Sequence, residues 1–325
     1  MSDVARIVWR PSTGSRRDGR LAAAGQDLPI IELRGAHPGP TLGLVAGVHG
    51  DEVECIDALV AWLQHATIDR GRILAVPVCH PAALAAGTRL GPDGVDLNRV
   101  FPGDGSGRPT ERLAQAVAAH VLPELDLLLT LHSWSRGGDT VTYVEYPRSE
   151  RGEAVAARSR ELAHAVGAPY AEAWDWPEGL LPAAAVRAGV PAAELEVGGL
   201  GRATSAGRAD VFRALDGAVR HAELRERPDG GGRPTEVQRH WLSATAEGRA
   251  AQRRERGAAV VRGDVVAEVL DLDGRCLQQL HAPDDGVVAI HVTYGRVEPG
   301  DPVAVLFAPD RRENGGESHA SERGG

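Results

Sequence analysis

The chain has 325 residues and a formal net charge of -9, with 42% hydrophobic and 25% charged residues, a balance that suits one large core plus a smaller module. All 36 basic residues are arginine, which excludes a pyridoxal Schiff base, a phosphate-loop lysine, a lysine general base and a biotinyl or lipoyl attachment site. The acidic balance without a basic run argues against nucleic acid, and the absence of a signal-type or bilayer-length apolar stretch predicts a cytoplasmic protein with no membrane partner.

In chain order, the first predicted element is the buried strand Thr41–Ala46, short, apolar and closed by glycine. It runs into Gly47-Val48-His49-Gly50-Asp51-Glu52, after which Glu52–His65 carries apolar residues at helical spacing. Beyond the carboxyl end of a strand is where open α/β sheets bind ligands. Taken alone, an H-x-x-E pair is more often a capping and solvation arrangement at a helix start. Ile73–Val78 is the second predicted strand, and Glu111–Val121 the second helix. Between them, Arg89 and Pro92-Asp93-Gly94 precede Asp96-Leu97-Asn98-Arg99-Val100-Phe101-Pro102-Gly103. Asn98 beside Arg99 pairs an amide with a guanidinium and is suited to a carboxylate, and Asp96 is placed to orient a ligand histidine or the loop itself. A salt-bridged surface loop is the alternative.

The third strand, Leu127–Leu131, is followed at once by His132. A catalytic zinc site needs three protein donors and one open position. His49, Glu52 and His132 all fall at strand ends of one domain, and that coincidence favours a metal over capping. In Pro191–Gly199, read as a strand, Glu194 and Glu196 share one face while Leu195 and Val197 pack on the other. Two carboxylates there suit acid/base work beside a metal-bound water, or equally the polar face of an edge strand. The three cysteines, Cys55, Cys79 and Cys276, are scattered without a C-x-x-C pair and fit a reducing compartment, with Cys55 and Cys79 as buried spectators.

This alternation predicts an α/β catalytic domain over residues 1–225, a mixed sheet flanked by helices. Residues 226–236, with a triple glycine and two prolines, read as a linker. Val260–Val269, Val287–Val292 and Val303–Phe307, separated by RGD, DLDG, APDDG and VEPGD turns, predict a small all-β, barrel-like domain over 237–308. Residues 309–325 are polar and read as a disordered tail.

The order GVHGDE, R-x-x-P-D-G-x-DLNRVFPG, LHS and GVPAAELEVGG resembles the succinylglutamate desuccinylase/aspartoacylase family, in the zinc carboxypeptidase-like clan. The resemblance covers most of residues 30–310. It implies one Zn2+ held by His49, Glu52 and His132, with Glu196 as the catalytic acid/base and Arg89 polarising the scissile carbonyl. Asn98 and Arg99 would grip the substrate carboxylate. Three departures cluster near the pocket: Glu194 where the family usually has Thr, Thr130 where an Asp often precedes the LHS segment, and His80-Pro81 where Asn-Pro is common. Glu194 is read as a substrate-binding group favouring a cationic substrate, or as a carboxylate that merely raises the pKa of Glu196; Trp134 is read as a pocket wall, and Tyr143 and Arg136 as further lining. The C-terminal domain is similar to biotinyl and lipoyl carrier barrels but lacks an acceptor lysine, which leaves a structural role such as narrowing the site entrance.

The expectation is a cytoplasmic zinc-dependent amide hydrolase removing a small acyl group from an N-acyl amino acid or related amine. Its partner is a small N-acylated molecule, and a homo-oligomer is compatible with the reading. A zinc carboxypeptidase trimming a C-terminal residue is the alternative enzyme, and a non-catalytic small-ligand-binding protein the alternative of a different class.

Overall fold

The computed structural model describes residues 5–12, 14–148, 153–225, 232–292 and 294–310. The chain divides into two compact units, one within Met1–Pro169 and Trp174–Arg233, the other within Tyr170–Ala173 and Pro234–Gly325.

The first unit opens with β1 (Arg6–Trp9), β2 (Arg16–Ala23) and β3 (Gln26–Arg34), an antiparallel ribbon that apolar-run reasoning does not find. The middle strand is RRDGRLAA, where only Gly19, Leu21 and Ala23 are buried, Arg17 shares their face and meets Glu32, and Arg16, Asp18 and Arg20 take the other face. There follow β4 (His37–Ala46), α1 (Val53–Leu63), β5 (Arg70–Val76), α2 (Pro81–Ala86), α3 (Pro109–His120), β6 (Leu127–His132) and β7 (Asp139–Pro147). After α4 (Glu153–Ala165) comes β8 (Tyr170–Trp174), whose first four residues belong to the second unit. The first unit ends with α5 (Leu181–Arg187), β9 (Ala192–Gly199) and α6 (Ser205–His221).

The sheet of this unit runs β1-β2-β3-β5-β4-β6-β9-β7. Its middle strands β5, β4, β6 and β9 are parallel, and β3–β5 and β9–β7 are antiparallel, so the mixed α/β expectation is met. Each predicted strand is present with shifted ends. The second stops at Val76 because Pro77 has no N–H to give a ladder. The first begins four residues early, at His37, whose polar and proline-rich start carries no apolar signal. The second helix starts at Pro109, which takes the first helical position, with the Glu111 carboxylate accepting from the Arg108 N–H at 2.6 Å.

Strand order fixes where a ligand can sit. From β4 the chain crosses to β5 on one side, and β6 later pairs on the other. A crevice therefore opens at the carboxyl ends of β4 and β6, the switch point at which open α/β sheets bind ligands. Under it lies a core that includes Leu21, Leu28, Val45, Leu74, Leu113, Val117 and Leu128.

The second unit has two antiparallel sheets. In one, β10 (Thr235–Ser243) pairs with β17 (Pro302–Pro309), β17 with β15 (Gly286–His291), and β15 with β12 (Ala259–Val260). The other is ordered β14 (Cys276–His281), β13 (Val265–Leu270), β11 (Gly248–Gln252) and β16 (Arg296–Val297). They share one core, with Leu242, Val288 and Leu306 from the first and Val266, Val269 and Leu280 from the second. This gives the barrel-like β module. It differs from the expected span in detail: β10 takes Thr235 and Glu236 from the expected linker, β8 contributes a parallel partner at Tyr170 and Ala171, and β17 runs through Pro309. Residues 226–231 of the linker and 311–325 of the tail lie outside the described residues. Among the described residues, no helix is long and apolar enough to cross a membrane.

Candidate metal centre and active site

The site starts where β4 ends. Gly47 turns the chain at φ +65°, a left-handed conformation that glycine adopts at little cost. Its carbonyl accepts from His80 N at 2.8 Å, and Gly50 N donates to Thr88 O at 3.0 Å. Gly50 itself is pressed on α2, so that a Cβ there would lie 2.0 Å from the carbonyl carbon of Ala83. This pinned turn presents His49 and, at the N-cap of α1, Glu52; both are buried. His132 is the last residue of β6 and is buried as well.

The three side chains converge. His49 Nδ1 lies 2.5 Å from Glu52 Oε1, and His132 Nδ1 lies 2.9 Å from Glu52 Oε2. One donor atom from each falls within 4.8 Å of the others. Burial alone would raise the Glu52 proton affinity, but the two imidazoles override it and hold the carboxyl well below the usual range. Two imidazoles and a carboxylate meeting in a buried pocket form a donor set that fits a divalent transition metal.

Outer groups orient these donors. Asp96 Oδ1 accepts from His49 Nε2 at 3.0 Å and from Asn98 N at 2.9 Å, while Oδ2 accepts from Arg89 Nε at 3.1 Å. Asp96 therefore performs both roles open to it in the sequence, holding the histidine and capping the short turn at Leu97–Arg99. Arg89 also reaches Glu52 Oε1 at 3.4 Å, which sets its guanidinium at the edge of the donor set. On the other side, Glu194 Oε2 lies 3.2 Å from His132 Nε2 and accepts from Thr130 Oγ1 at 3.2 Å. Burial works against charge on His132, yet Glu194 and Glu52 together raise the imidazole well above its ordinary value.

The register of β6 with β9 explains this placement. Thr130 pairs with Glu194 and His132 with Glu196, so the two glutamates share a face at different depths. Glu194 is only 5% exposed and is engaged with His132 and Thr130. In this structure the side chain read as a substrate contact faces His132 and Thr130. Glu196 sits level with His132. Its Oε2 is buried and has no hydrogen-bond partner among the described residues. Burial, with Glu52, Glu194 and Glu145 close by, pushes this carboxyl well above the usual range against the pull of His132.

The remaining predicted residues divide. Asn98 is buried and its Oδ1 accepts from Leu181 N at the start of α5, so at least half of its amide is structural. Arg99 is exposed and its Nη1 donates to the Asn98 carbonyl at 2.7 Å. Tyr143 is buried on β7 opposite Glu196. Arg136 is exposed and packs beside Gly87 and Gly201. His80 accepts from Ala83 N as the cap of α2, doing the work expected of an asparagine. Cys55 and Cys79 are buried; Cys55 Sγ donates to His132 O at 3.1 Å, and burial pushes the Cys79 thiol up to about 12. Glu145 was not singled out from sequence. It is buried on β7 opposite Glu194 and accepts from Trp174 Nε1 at 2.6 Å. Its signal, a glutamate inside the alternating run Thr142-Tyr143-Val144-Glu145-Tyr146, is too slight to separate from a solvated strand face.

Comparison with known proteins follows the same residues. The profile of the succinylglutamate desuccinylase/aspartoacylase catalytic domain matches residues 38–222. An N-alpha-acetyl-L-2,4-diaminobutyric acid deacetylase of Halomonas elongata is 32% identical over 292 residues, 82% of each chain. The product-bound structure of the ectoine utilization protein EutE (DoeB) from Ruegeria pomeroyi superposes with a TM-score of 0.85 at 25% identity, covering 95% of this chain and 100% of that one. A succinylglutamate desuccinylase/aspartoacylase from Rhodobacter sphaeroides gives 0.82 at 26%, covering 94% and 99%. With the profile spanning the strands that carry His49, Glu52, His132 and Glu196, this chain belongs to the succinylglutamate desuccinylase/aspartoacylase family.

Proposed function

We propose that this protein is a zinc-dependent deacylase that hydrolyses the amide of a small N-acyl amino acid, with an N-acetylated diamino acid as the first substrate to test. The observation that carries the reading is the pairing of a buried His-Glu-His donor set with a neighbouring carboxylate, Glu196, whose Oε2 has no partner. The Halomonas relative, a deacetylase of an acetylated diaminobutyric acid, supports both the reaction and the substrate class.

Zn2+ held by His49, Glu52 and His132 would supply Lewis acidity to the acyl carbonyl and lower the pKa of water from 15.7 to about 7. Glu196 Oε2 takes a proton from the attacking water as its oxygen bonds to the acyl carbon. The same carboxyl then gives that proton to the amide nitrogen as the C–N bond breaks, releasing a carboxylate and an amine. Its raised proton affinity suits the second half of this cycle, when it must act as an acid. Arg89, held by Asp96, presents a fixed cation to the carbonyl oxygen as negative charge develops on it. Arg99, exposed beside the crevice, is the cation assigned to the substrate carboxylate.

The test is to incubate zinc-loaded enzyme with N-acetyl, N-succinyl and N-formyl amino acids and with peptides, and to identify products by mass spectrometry. Release of the acyl acid and free amino acid is expected. Release of C-terminal residues from peptides alone would replace this reading with a carboxypeptidase.

A further inference from the structure

The two histidines of the donor set have the same kinds of neighbour at corresponding nitrogens. Each turns Nδ1 toward one oxygen of Glu52, and each has a carboxylate oxygen at Nε2: Asp96 at 3.0 Å from His49, Glu194 at 3.2 Å from His132. A neutral imidazole that donates its Nε2–H to a carboxylate keeps the lone pair on Nδ1, which is the tautomer needed for metal ligation there. Among the described residues His132 Nε2 is buried and makes no aligned hydrogen bond, and the Glu194 carboxylate at 3.2 Å is an acceptor within reach of it.

Resting on the deacylase reading, we propose that Glu194 is a positioning residue that orients His132 toward the metal as Asp96 orients His49. A purely structural account has difficulty with this carboxylate. It is buried, faces Glu145 across the β9–β7 pair, and has the His132 imidazole beside it. Like charges directly opposite weaken a sheet, and a buried carboxylate is costly unless paired. The pairing that offsets these costs is the one with His132. Thr130 Oγ1 fixes its rotamer by donating to Oε2.

The register also unites two departures noted in the sequence. Thr130 and Glu194 are direct neighbours on β6 and β9, so the two departures fall on one cross-strand pair. Thr130 lies two residues before His132 on the same face, so a carboxylate on either strand can reach the same nitrogen.

The test measures zinc affinity of the full chain by competition with a chromophoric chelator, alongside the visible spectrum of the cobalt-substituted protein and the melting temperature of the metal-free form. E194Q and E194T are expected to weaken zinc binding about 10–100-fold and to alter the cobalt spectrum, with an unchanged metal-free melting temperature. T130D/E194T, which moves the carboxylate to β6, is expected to bind zinc about tenfold more tightly than E194T. Should E194Q fail to fold, the comparison of the last two variants decides. Affinity of E194Q equal to that of the unsubstituted chain, or a double variant no tighter than E194T, overturns the proposal while leaving the deacylase reading intact. An unsubstituted chain that takes up no stoichiometric zinc overturns both.

Discussion

Glu196 is the residue on which the proposed chemistry turns. Its buried Oε2 has no partner among the described residues, as expected of a group whose partner is a water or substrate atom. E196Q keeps the shape and leaves His49, Glu52 and His132 in place, so zinc content should be unchanged while kcat falls about 10²–10⁴-fold. H132A, by contrast, should lose stoichiometric zinc, read by elemental analysis. Arg99 is exposed at the edge of the loop; R99A should raise KM for substrates with a free carboxylate and leave kcat nearly unchanged. Substrates esterified at that carboxylate should not feel the change. His49, Glu52 and His132 were legible from sequence because they fall just beyond strands that apolar runs reveal, while the roles of Glu196 and Arg99 were implied by the family resemblance. Glu194 was legible as a carboxylate on the right face, yet its depth was not. Depth comes from the β6–β9 register, which sets Glu194 beside Thr130 and Glu196 beside His132. No local spacing encodes which residue of a distant strand will lie opposite.

At the scale of elements, the turn from β4 into α1 is held by contact with α2. G50A would drive a Cβ to 2.0 Å from backbone at Ala83, and neither backbone can yield without shifting His49. The variant should show a lower melting temperature and weaker zinc binding together. In the antiparallel ribbon, buried Glu32 on β3 gathers Arg17 from β2, Arg34 from β3 and Arg72 from β5 at 2.8–3.4 Å. Burial opposes its charge, but the hydrogen bond and charge of Arg34, with Arg17 and Arg72, hold the carboxyl below its ordinary 4.5. A depressed folded pKa means the carboxylate contributes stability above 4.5 and loses it as pH falls through the folded value. E32Q should therefore unfold at lower urea than the unsubstituted chain at neutral pH, and the gap should close in acid. Equal midpoints at neutral pH would contradict this clamp. The ribbon escaped sequence reasoning because its middle strand sets three arginines and an aspartate beside a single leucine, a pattern with little apolar signal. The buried parallel strands announced themselves through TLGLVA, ILAV and LLLTL, though Pro77 and the polar start of β4 moved their ends.

For the whole molecule, an arginine-only cation set removes the carrier role that the β module would otherwise invite. It also leaves Arg89 and Arg99 with no lysine to stand in for either. A metal that binds the folded chain and not the unfolded one must stabilise it, by about 2.7 kcal/mol at a free concentration 100 times Kd. Adding zinc to metal-free protein should raise its melting temperature, chelation should reverse the rise, and H132A should show neither effect. The central claim is that three donors and one unpartnered glutamate make a deacylase. It is tested most directly by acyl release from N-acetyl-2,4-diaminobutyric acid and other N-acetyl amino acids, measured for the unsubstituted chain and E196Q at equal zinc content. Turnover by the former and its loss in the latter, both holding equimolar zinc, is the predicted result. Equal turnover by the two, or none from a fully zinc-loaded unsubstituted chain, would contradict it.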